Sequence, residues 1–312
     1  MRVIEYKYGD APSLGPSVMA LGLFDGVHLG HRELIRQAQD AARRLGASLS
    51  LFTFREGGRL KASVPRIYGE AEKCQIFERL GVDTVIFCDF PSVSQLSPEQ
   101  FVTDVLIDAL GAGCAVAGYN FRFGKGAAGD AACLTRLASE HGIDALICSE
   151  VRHGGREVSS TAIRELIAAR RIGEANELLG APYFLSGGVK RGNGVGHTLG
   201  YPTVNTDIDP TRVVPPCGVY RTALTYKGRI YPALTNVGVC PTFDARPVHA
   251  ETYILNFDGD LYGEKIDIYF LDYLRDEKAF SDIESLKMQI NVDKNKVITE
   301  NGDITWQELG LS

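Results

Sequence analysis

Gly22-Leu23-Phe24-Asp25-Gly26-Val27-His28-Leu29-Gly30-His31 follows directly on the apolar run Val18-Met19-Ala20-Leu21. The order is strand, glycine-rich turn, then a helix start carrying two histidines three residues apart. A helix N-terminus offers unpaired N–H groups and the positive end of the helix dipole, so it attracts phosphate. Glycines at 22, 26 and 30 let the backbone approach such a ligand closely. His28 and His31 lie about one turn apart, so both rings can address one phosphoryl group. A metal pair on a helix prefers i, i+4 spacing and a third ligand, and His141, His153, His197 and His249 form no such group. The stretch predicts phosphate chemistry on a nucleotide, built on an α/β frame.

Working outward, the first half of the chain alternates strand and helix patterns, as a parallel sheet covered by helices requires. Strands are expected at 17–21, 48–54, 84–88, 114–117 and 145–148. Leu34, Ile35, Ala38, Ala41, Ala42 and Leu45 recur at helical spacing and give one buried stripe. A helix over 70–80 should stop at Gly81. Ser97-Pro98-Glu99-Gln100 has the residues of a capping box with proline at the first helical position. Near residue 183 the texture changes to short alternating segments broken by Gly, Pro, Asn and Asp. Residues 218–226 and 229–237, joined by Lys227-Gly228, read as a hairpin, and Ile266, Ile268 and Phe270 mark a half-buried strand. From Ser281 the pattern is helical. A small antiparallel β-barrel closed by C-terminal helices is expected there, giving domains 1–183 and 184–312.

The 312 residues are 45% hydrophobic and 23% charged, with a net charge of −6. That balance suits a globular protein of two domains and argues against a general nucleic-acid surface. Anionic substrates must then be held locally, by glycine loops, helix ends, a few basic side chains and Mg²⁺. The seven cysteines (74, 88, 114, 133, 148, 217 and 240) form no C-x-x-C and mostly sit in apolar runs, which fits a reducing compartment. Met1-Arg2-Val3-Ile4-Glu5-Tyr6 lacks a signal-peptide core, and no run approaches the ~20 apolar residues of a membrane helix. A cytoplasmic protein without membrane or nucleic-acid partners is expected; the oligomeric state is left open.

Three further segments carry chemistry. Gly118-Tyr119-Asn120-Phe121-Arg122-Phe123-Gly124-Lys125-Gly126 follows an expected strand end, and ligands of open α/β sheets sit beyond such ends. Ser159-Ser160-Thr161-Ala162-Ile163-Arg164 places three hydroxyls and an arginine at a helix start. Any one hydroxyl there is ordinarily a cap, but the set makes a better phosphate cradle, and arginine's planar fork donates to several phosphate oxygens. Gly194-Val195-Gly196-His197-Thr198-Leu199-Gly200-Tyr201-Pro202-Thr203-Val204-Asn205 is glycine-rich without the Gly-Lys-Ser/Thr of a Walker loop. Thr203 and Asn205, two apart in an extended segment, share one face; their neutral oxygens suit Mg²⁺ when phosphates supply the charge.

The 22–31 run resembles the G-x-F-D-G-x-H-x-G-H signature of the nucleotidylyltransferase superfamily, and its Phe-Asp-Gly insert is most similar to the bacterial bifunctional riboflavin kinase/FAD synthetase branch. The segments at 118–126 and 159–164 are similar to that family's G-x-[DN]-F-x-F-G and S-S-T-x-x-R. Residues 196–205 resemble the G-x-x-L-G-[FY]-P-T-x-N of riboflavin kinases. Asn236-Val237-Gly238-Val239-Cys240-Pro241-Thr242-Phe243, the strand led by Glu251, Leu261-Tyr262-Gly263 and Leu274-Arg275-Asp276-Glu277 extend the likeness. The resemblance implies an α/β nucleotidylyltransferase domain that joins FMN to the AMP of ATP, giving FAD and pyrophosphate. It implies a following barrel that phosphorylates riboflavin to FMN with Mg²⁺-ATP.

By the same resemblance, Gly22, Phe24, Asp25, Gly26, Ser159, Ser160 and Thr161 bind nucleotide. Asn120 meets nucleotide or flavin, with Phe123 packed beneath it. His28, His31 and Arg164 hold charge during adenylyl transfer. Lys190, Gly194, Gly196, Gly200 and Pro202 belong to the kinase's nucleotide site, Thr203 and Asn205 to its Mg²⁺, Arg275 to the flavin, and Glu251 is the base. His197 stands where the family usually has arginine and Asn256 where aspartate is common. One departure is larger. Where the family carries a proline-histidine-proline element after the second strand, this chain reads Arg55-Glu56-Gly57-Gly58. A first domain that only binds flavin or nucleotide therefore stands as the alternative.

Overall fold

The computed structural model describes all residues except 13, 57–63, 191–200, 240–247, 302–304, 306–308 and 310–312. Gly194, Gly196 and Gly200 thus lie outside the described residues, as do His197, Gly57, Gly58 and Pro241-Thr242-Phe243. The chain divides into two compact units, Met1–Val64 with Tyr68–Ser159, and Pro65–Ile67 with Ser160–Ser312.

The first unit is built on a parallel six-stranded sheet of order β1-β4-β3-β2-β5-β6. The strands are β1 (Arg2–Tyr6), β2 (Ser17–Leu21), β3 (Ser48–Phe54), β4 (Thr84–Cys88), β5 (Ala112–Gly118) and β6 (Asp144–Cys148). Central strands read as unbroken apolar runs because both faces are covered. Met19 and Leu21 pack with Phe52, Ile86, Ala115 and Ala117 in one core cluster, which Phe101, Val102, Val105 and Leu106 close from above. The alternate residues Val18, Ala20, Leu49, Leu51 and Val85 are equally buried, so they point to the opposite face. Helix α1 (Leu29–Leu45) packs against β2, β3 and β5, burying Leu34, Ile35, Ala38, Ala41 and Ala42.

Helix α2 (Glu70–Arg79) ends before Gly81, which has φ +70°. After the short α3 (Phe90–Val93), the capping box at Ser97 forms as its residues predict: Gln100 N–H donates to Ser97 Oγ at 3.1 Å and Ser97 N–H to Gln100 Oε1 at 3.0 Å. It opens α4 (Pro98–Gln100), but the helix runs on over Phe101–Ala109 with π-type bonding. Helix α5 (Ala131–Glu140) packs on β6. Strand β1 was not expected; with Arg2 and Glu5 it lacks an apolar run, and it reaches the sheet as an edge strand paired only with β4. A two-residue hairpin, β7 (Arg152–His153) with β8 (Arg156–Glu157), completes the unit.

The second unit opens with α6 (Ser160–Ala168) and α7 (Ile172–Leu179). Its six antiparallel strands close a barrel in the order β10-β13-β12-β11-β14-β9. They are β9 (Tyr183–Lys190), β10 (Thr203–Asp207), β11 (Gly218–Tyr226), β12 (Arg229–Val239), β13 (Val248–Ile254) and β14 (Lys265–Arg275). The hairpin turn falls at Lys227 (φ 46°) and Gly228 (φ 72°), as a two-residue connection requires. Thr222, Thr235 and Thr252, all fully buried, join their hydroxyls in a chain at 2.8 and 2.9 Å. α7 is pinned to the barrel by Asn176, whose Nδ2 donates to Phe270 O at 2.9 Å while its Oδ1 accepts from Tyr183 N–H at 2.8 Å. The last helix, α8 (Ile283–Asn301), packs against β12. Among the described residues no helix is long and apolar enough to cross a membrane.

Barrel closure forces a close approach at Gly187, where a Cβ would lie 2.3 Å from Thr206 Cγ2 and 2.8 Å from Asp207 O. Gly187→Ala is expected to destabilise the barrel by about 1–3 kcal/mol, the usual range for overpacking. Urea unfolding followed by circular dichroism should show the loss; an unchanged midpoint would mean that β9 and β10 do not meet this closely.

Candidate functional sites

In the first unit β2 is the switch strand: β3 and β4 lie to one side and β5 and β6 to the other. The loops leaving the carboxyl ends of β2 and β5 begin at Gly22 and after Gly118, so sheet topology brings the two predicted segments to one crevice. The first loop is strained. Phe24 has φ 50° and Val27 φ 41°, conformations that cost non-glycine residues about 1–3 kcal/mol each. Burial holds them there. Phe24 is fully buried edge-on to Phe77 at 5.7 Å, and Val27 is fully buried. The Leu23 carbonyl accepts from Lys73 Nζ at 2.9 Å and Thr53 Oγ1 at 3.1 Å, which turns it inward. Asp25 is also buried.

His28 is the extended N-cap of α1 and gives no side-chain cap, so the first N–H groups of the helix keep their capacity for an anion. Its ring stacks on His31 with centroids 3.7 Å apart. Both Nδ1 atoms are buried without a partner among the described residues. Gly30 makes room for the stack, since a Cβ there would meet His28 at 3.2 Å. Burial pushes His28 down to about 4, its backbone hydrogen bond opposing slightly, and drives His31 well below its usual range with help from His28 and Lys73. Burial thus favours the neutral form of both rings.

Beside Gly22 opens a cavity of about 170 Å³ with an aromatic lining that includes Phe52, Phe54, Phe90, Phe121 and Phe123. Phe121 and Phe123 stack at 5.6 Å. Gly129 accommodates Phe123, whose ring would lie 2.6 Å from a Cβ there. Asn120 is exposed on the same loop. Ser159 immediately precedes α6, Ser160 begins it, and Arg164 lies one turn on with Nε donating to Pro65 O at 2.8 Å. The structure groups Ser160, Thr161 and Arg164 with the second unit, and His28 and His31 with the first. Arg55 pairs with Glu5 at 2.7 Å, and Glu56 and Glu70 exchange backbone-to-carboxylate bonds at 2.7 and 3.1 Å.

The barrel carries a larger cavity, about 400 Å³, lined by Tyr201, Thr203, Asn236, Glu251, Tyr253 and Arg275 among others. Strand register assembles it: Asn205 and Asn236 both lie opposite Glu251, and Thr203 lies opposite Tyr253. Thr203 Oγ1 donates to Glu251 Oε1 at 2.6 Å. Asn236 donates to Glu277 Oε1 at 3.0 Å, while its own Oδ1 is buried without a partner among the described residues. Arg275 grips Asp293 through Nε at 2.9 Å and an Nη at 2.8 Å, and Asp293 is only 2% exposed. Lys190 pairs with Asp207 on the neighbouring strand, and Pro202 is exposed.

Sequence reasoning missed Lys73, Thr53 and Asp293. Lys73 was legible in part, since it shares a helical stripe with buried Ile76 and Phe77. A buried neutral histidine links stability to acid. Below its ordinary 6.5 the unfolded chain takes up a proton that folded His28 refuses until about 4. Stability is therefore complete above pH 6.5 and falls as pH drops from 6.5 to 4, by roughly 3 kcal/mol for this group. His28→Gln should flatten that part of the urea-midpoint profile; an unaltered slope would assign it to other groups.

Comparison with known proteins agrees with the two-part fold. The family described as FAD synthetase matches residues 10–162, and the family described as riboflavin kinase matches 179–299. The bifunctional riboflavin kinase/FMN adenylyltransferase of Bacillus subtilis (strain 168) is 34% identical over 292 residues, 90% of this chain and 92% of that protein. Its counterpart in Escherichia coli (strain K12) is 31% identical over 295 residues, 93% and 94% of the two. A crystal structure described as a macrolide-efflux protein from Streptococcus pneumoniae is 31% identical, with a TM-score of 0.87 over 95% of this chain and 99% of that one. The chain belongs to the bifunctional riboflavin kinase/FMN adenylyltransferase family.

Proposed function

We infer that the protein phosphorylates riboflavin to FMN with one ATP and joins FMN to the AMP part of a second, releasing pyrophosphate. We assign FMN adenylylation to residues 1–183 and the kinase to 184–312. Family membership and two separate phosphate-competent sites support the reading. The six described cysteines are free, in keeping with a reducing, cytoplasmic setting.

For adenylyl transfer, the observation that carries most is the His28–His31 stack at an uncapped helix start, with two unpartnered ring nitrogens. An FMN phosphate oxygen attacks the α-phosphorus of ATP, and pyrophosphate leaves with the bond electrons. The helix N–H groups and the histidines stabilise charge on the transferring group. The aromatic cavity beside Gly22 suits a flat flavin ring. Asn120, Ser159, Ser160, Thr161 and Arg164 keep the contacts that the resemblance gives them. Arg55 and Glu56 are engaged with Glu5 and Glu70, so the supporting histidine of relatives is not replaced by them. We expect this half-reaction to persist and to be the slower of the two.

In the barrel, Glu251 takes the proton of the primary ribityl hydroxyl as its oxygen attacks the γ-phosphorus of ATP and ADP leaves. Thr203 orients the carboxylate through their hydrogen bond. The described pocket lining includes three acids, Glu251, Glu277 and Asp293, and the bases Arg275 and Lys278. Arg275 is already neutralised by Asp293. Polyphosphate therefore needs further positive charge, and the all-oxygen donor set fits Mg²⁺. Thr203 and Asn205 would hold the ion, which when bound neutralises phosphate charge.

Incubating the protein with riboflavin, ATP and Mg²⁺ and separating the flavins tests both steps. His28→Ala or His31→Ala should slow FAD formation about 10²–10³-fold with FMN formation near wild type; equal loss of both would mean misfolding. No FAD at high enzyme, with nucleotide still bound by calorimetry, would favour the binding-module alternative. Glu251→Gln should slow FMN formation about 10²–10⁴-fold while riboflavin still binds; a wild-type single-turnover rate would remove Glu251 as the base. Thr203→Ala and Asn205→Ala should weaken Mg²⁺-ATP binding and respond partly to added Mg²⁺.

A further inference from the structure

Helix α6 ends in a Schellman motif: Arg171 N–H donates to Leu166 O at 2.9 Å and Arg170 N–H to Ile167 O at 3.0 Å. The motif puts its C′ residue in the left-handed conformation that glycine takes most readily, and that residue is Arg170, with φ 62°. A strained residue persists where surrounding contacts over-determine it. Arg170 has them. One Nη atom lies 3.1 Å from Asp276 Oδ1 and donates to Cys217 O at 3.3 Å, and the guanidinium lies 5.1 Å from the centre of the Tyr273 ring. Asp276 follows Arg275, whose own Nη1 donates to the Asp276 carbonyl at 3.0 Å. Arg275, Glu277, Lys278 and Phe280 all line the barrel cavity. The strand end is thus gripped twice, by Asp293 at the Arg275 side chain and by Arg170 at the Asp276 carboxylate.

We propose that Arg170 is a positioning residue of the kinase site, holding Asp276 so that residues 275–280 present the wall against which riboflavin binds. The proposal rests on the kinase reading of the barrel. Arg170 itself does not line the cavity, so it acts through Asp276.

Glycine separates this role from a structural one, because it suits the C′ position and retains the cap while removing the guanidinium. In the full chain, Arg170→Gly should leave the melting temperature at or above wild type. It should raise KM for riboflavin about 3- to 10-fold, the range for losing one partly exposed charge-assisted contact. The dissociation constant, read from quenching of riboflavin fluorescence, should rise in parallel, with kcat for FMN formation changed less than twofold. FAD formation from supplied FMN should be unaffected. Asp276→Asn should reproduce the KM effect, and the double variant should add little to either single one. Asn176→Ala, which frees α7 from Phe270 and Tyr183, neither of them in the cavity lining, should lower the melting temperature and leave KM alone. A wild-type KM in Arg170→Gly overturns the proposal, as do additive effects of the two substitutions. So does an Asn176→Ala variant with the same KM shift, which would make Arg170 a generic packing contact. Wild-type protein that forms no FMN would overturn the kinase reading and this inference with it.

Discussion

The first unit depends on a carbonyl that must face inward. Leu23 begins the turn between β2 and α1, and its oxygen is held by Lys73 and Thr53 from beneath. With that oxygen tied down, the turn crosses left-handed space at Phe24 and Val27 and delivers His28 as an uncapped helix start. The strain is local and the restraint is not. Lys73 comes from α2, Thr53 from β3, and Phe77 closes on Phe24. The conformation of this turn is specified by two neighbouring elements, α2 and β3, as well as by its own ten residues.

The barrel solves the same problem by register. In an antiparallel ladder, residues directly opposite share a face, so fixing β10 against β13 and β13 against β12 aligns Asn205, Glu251 and Asn236 across three strands. A slip of one residue in any of these strands would carry its member of the set to the other face. The buried threonine chain spans β11, β12 and β13 and resists such a slip between β12 and β13, because Thr235 and Thr252 are opposite one another and lose their hydroxyl partners if either strand shifts. A polar core chain is an unusual interior for a small barrel. Here its hydrogen bonds fix the pairing of β11, β12 and β13.

Much of this was legible in the sequence. Buried parallel strands are continuous apolar runs, and five of the six strands of the sheet were found by that signal. The capping box at Ser97, the stop at Gly81 and the Lys227-Gly228 turn are local chemistry and came out as read. Edge strand β1 was missed because its burial is one-sided and its residues mixed. The π-type continuation of α4 has no periodic signature distinct from an ordinary helix. Of the candidate site, the residues that the resemblance singles out stand in recognisable motifs. The partners that hold them do not: Asp293 lies 18 residues beyond Arg275 in a helix of weak amphipathicity, and only the fold brings it beneath the guanidinium.

The two sites also make opposite electrostatic choices. Burial at the helix start favours the neutral form of both rings, so the positive character there is that of the backbone N–H groups and of Lys73. Neutral donors in a dry site lose little when the ligand arrives, because they gave up their water on folding. The barrel pocket instead gathers the carboxylates Glu251, Glu277 and Asp293, and cancels one of its cations internally, Arg275 against the buried Asp293, so its charge is decided by which carboxylates are already paired.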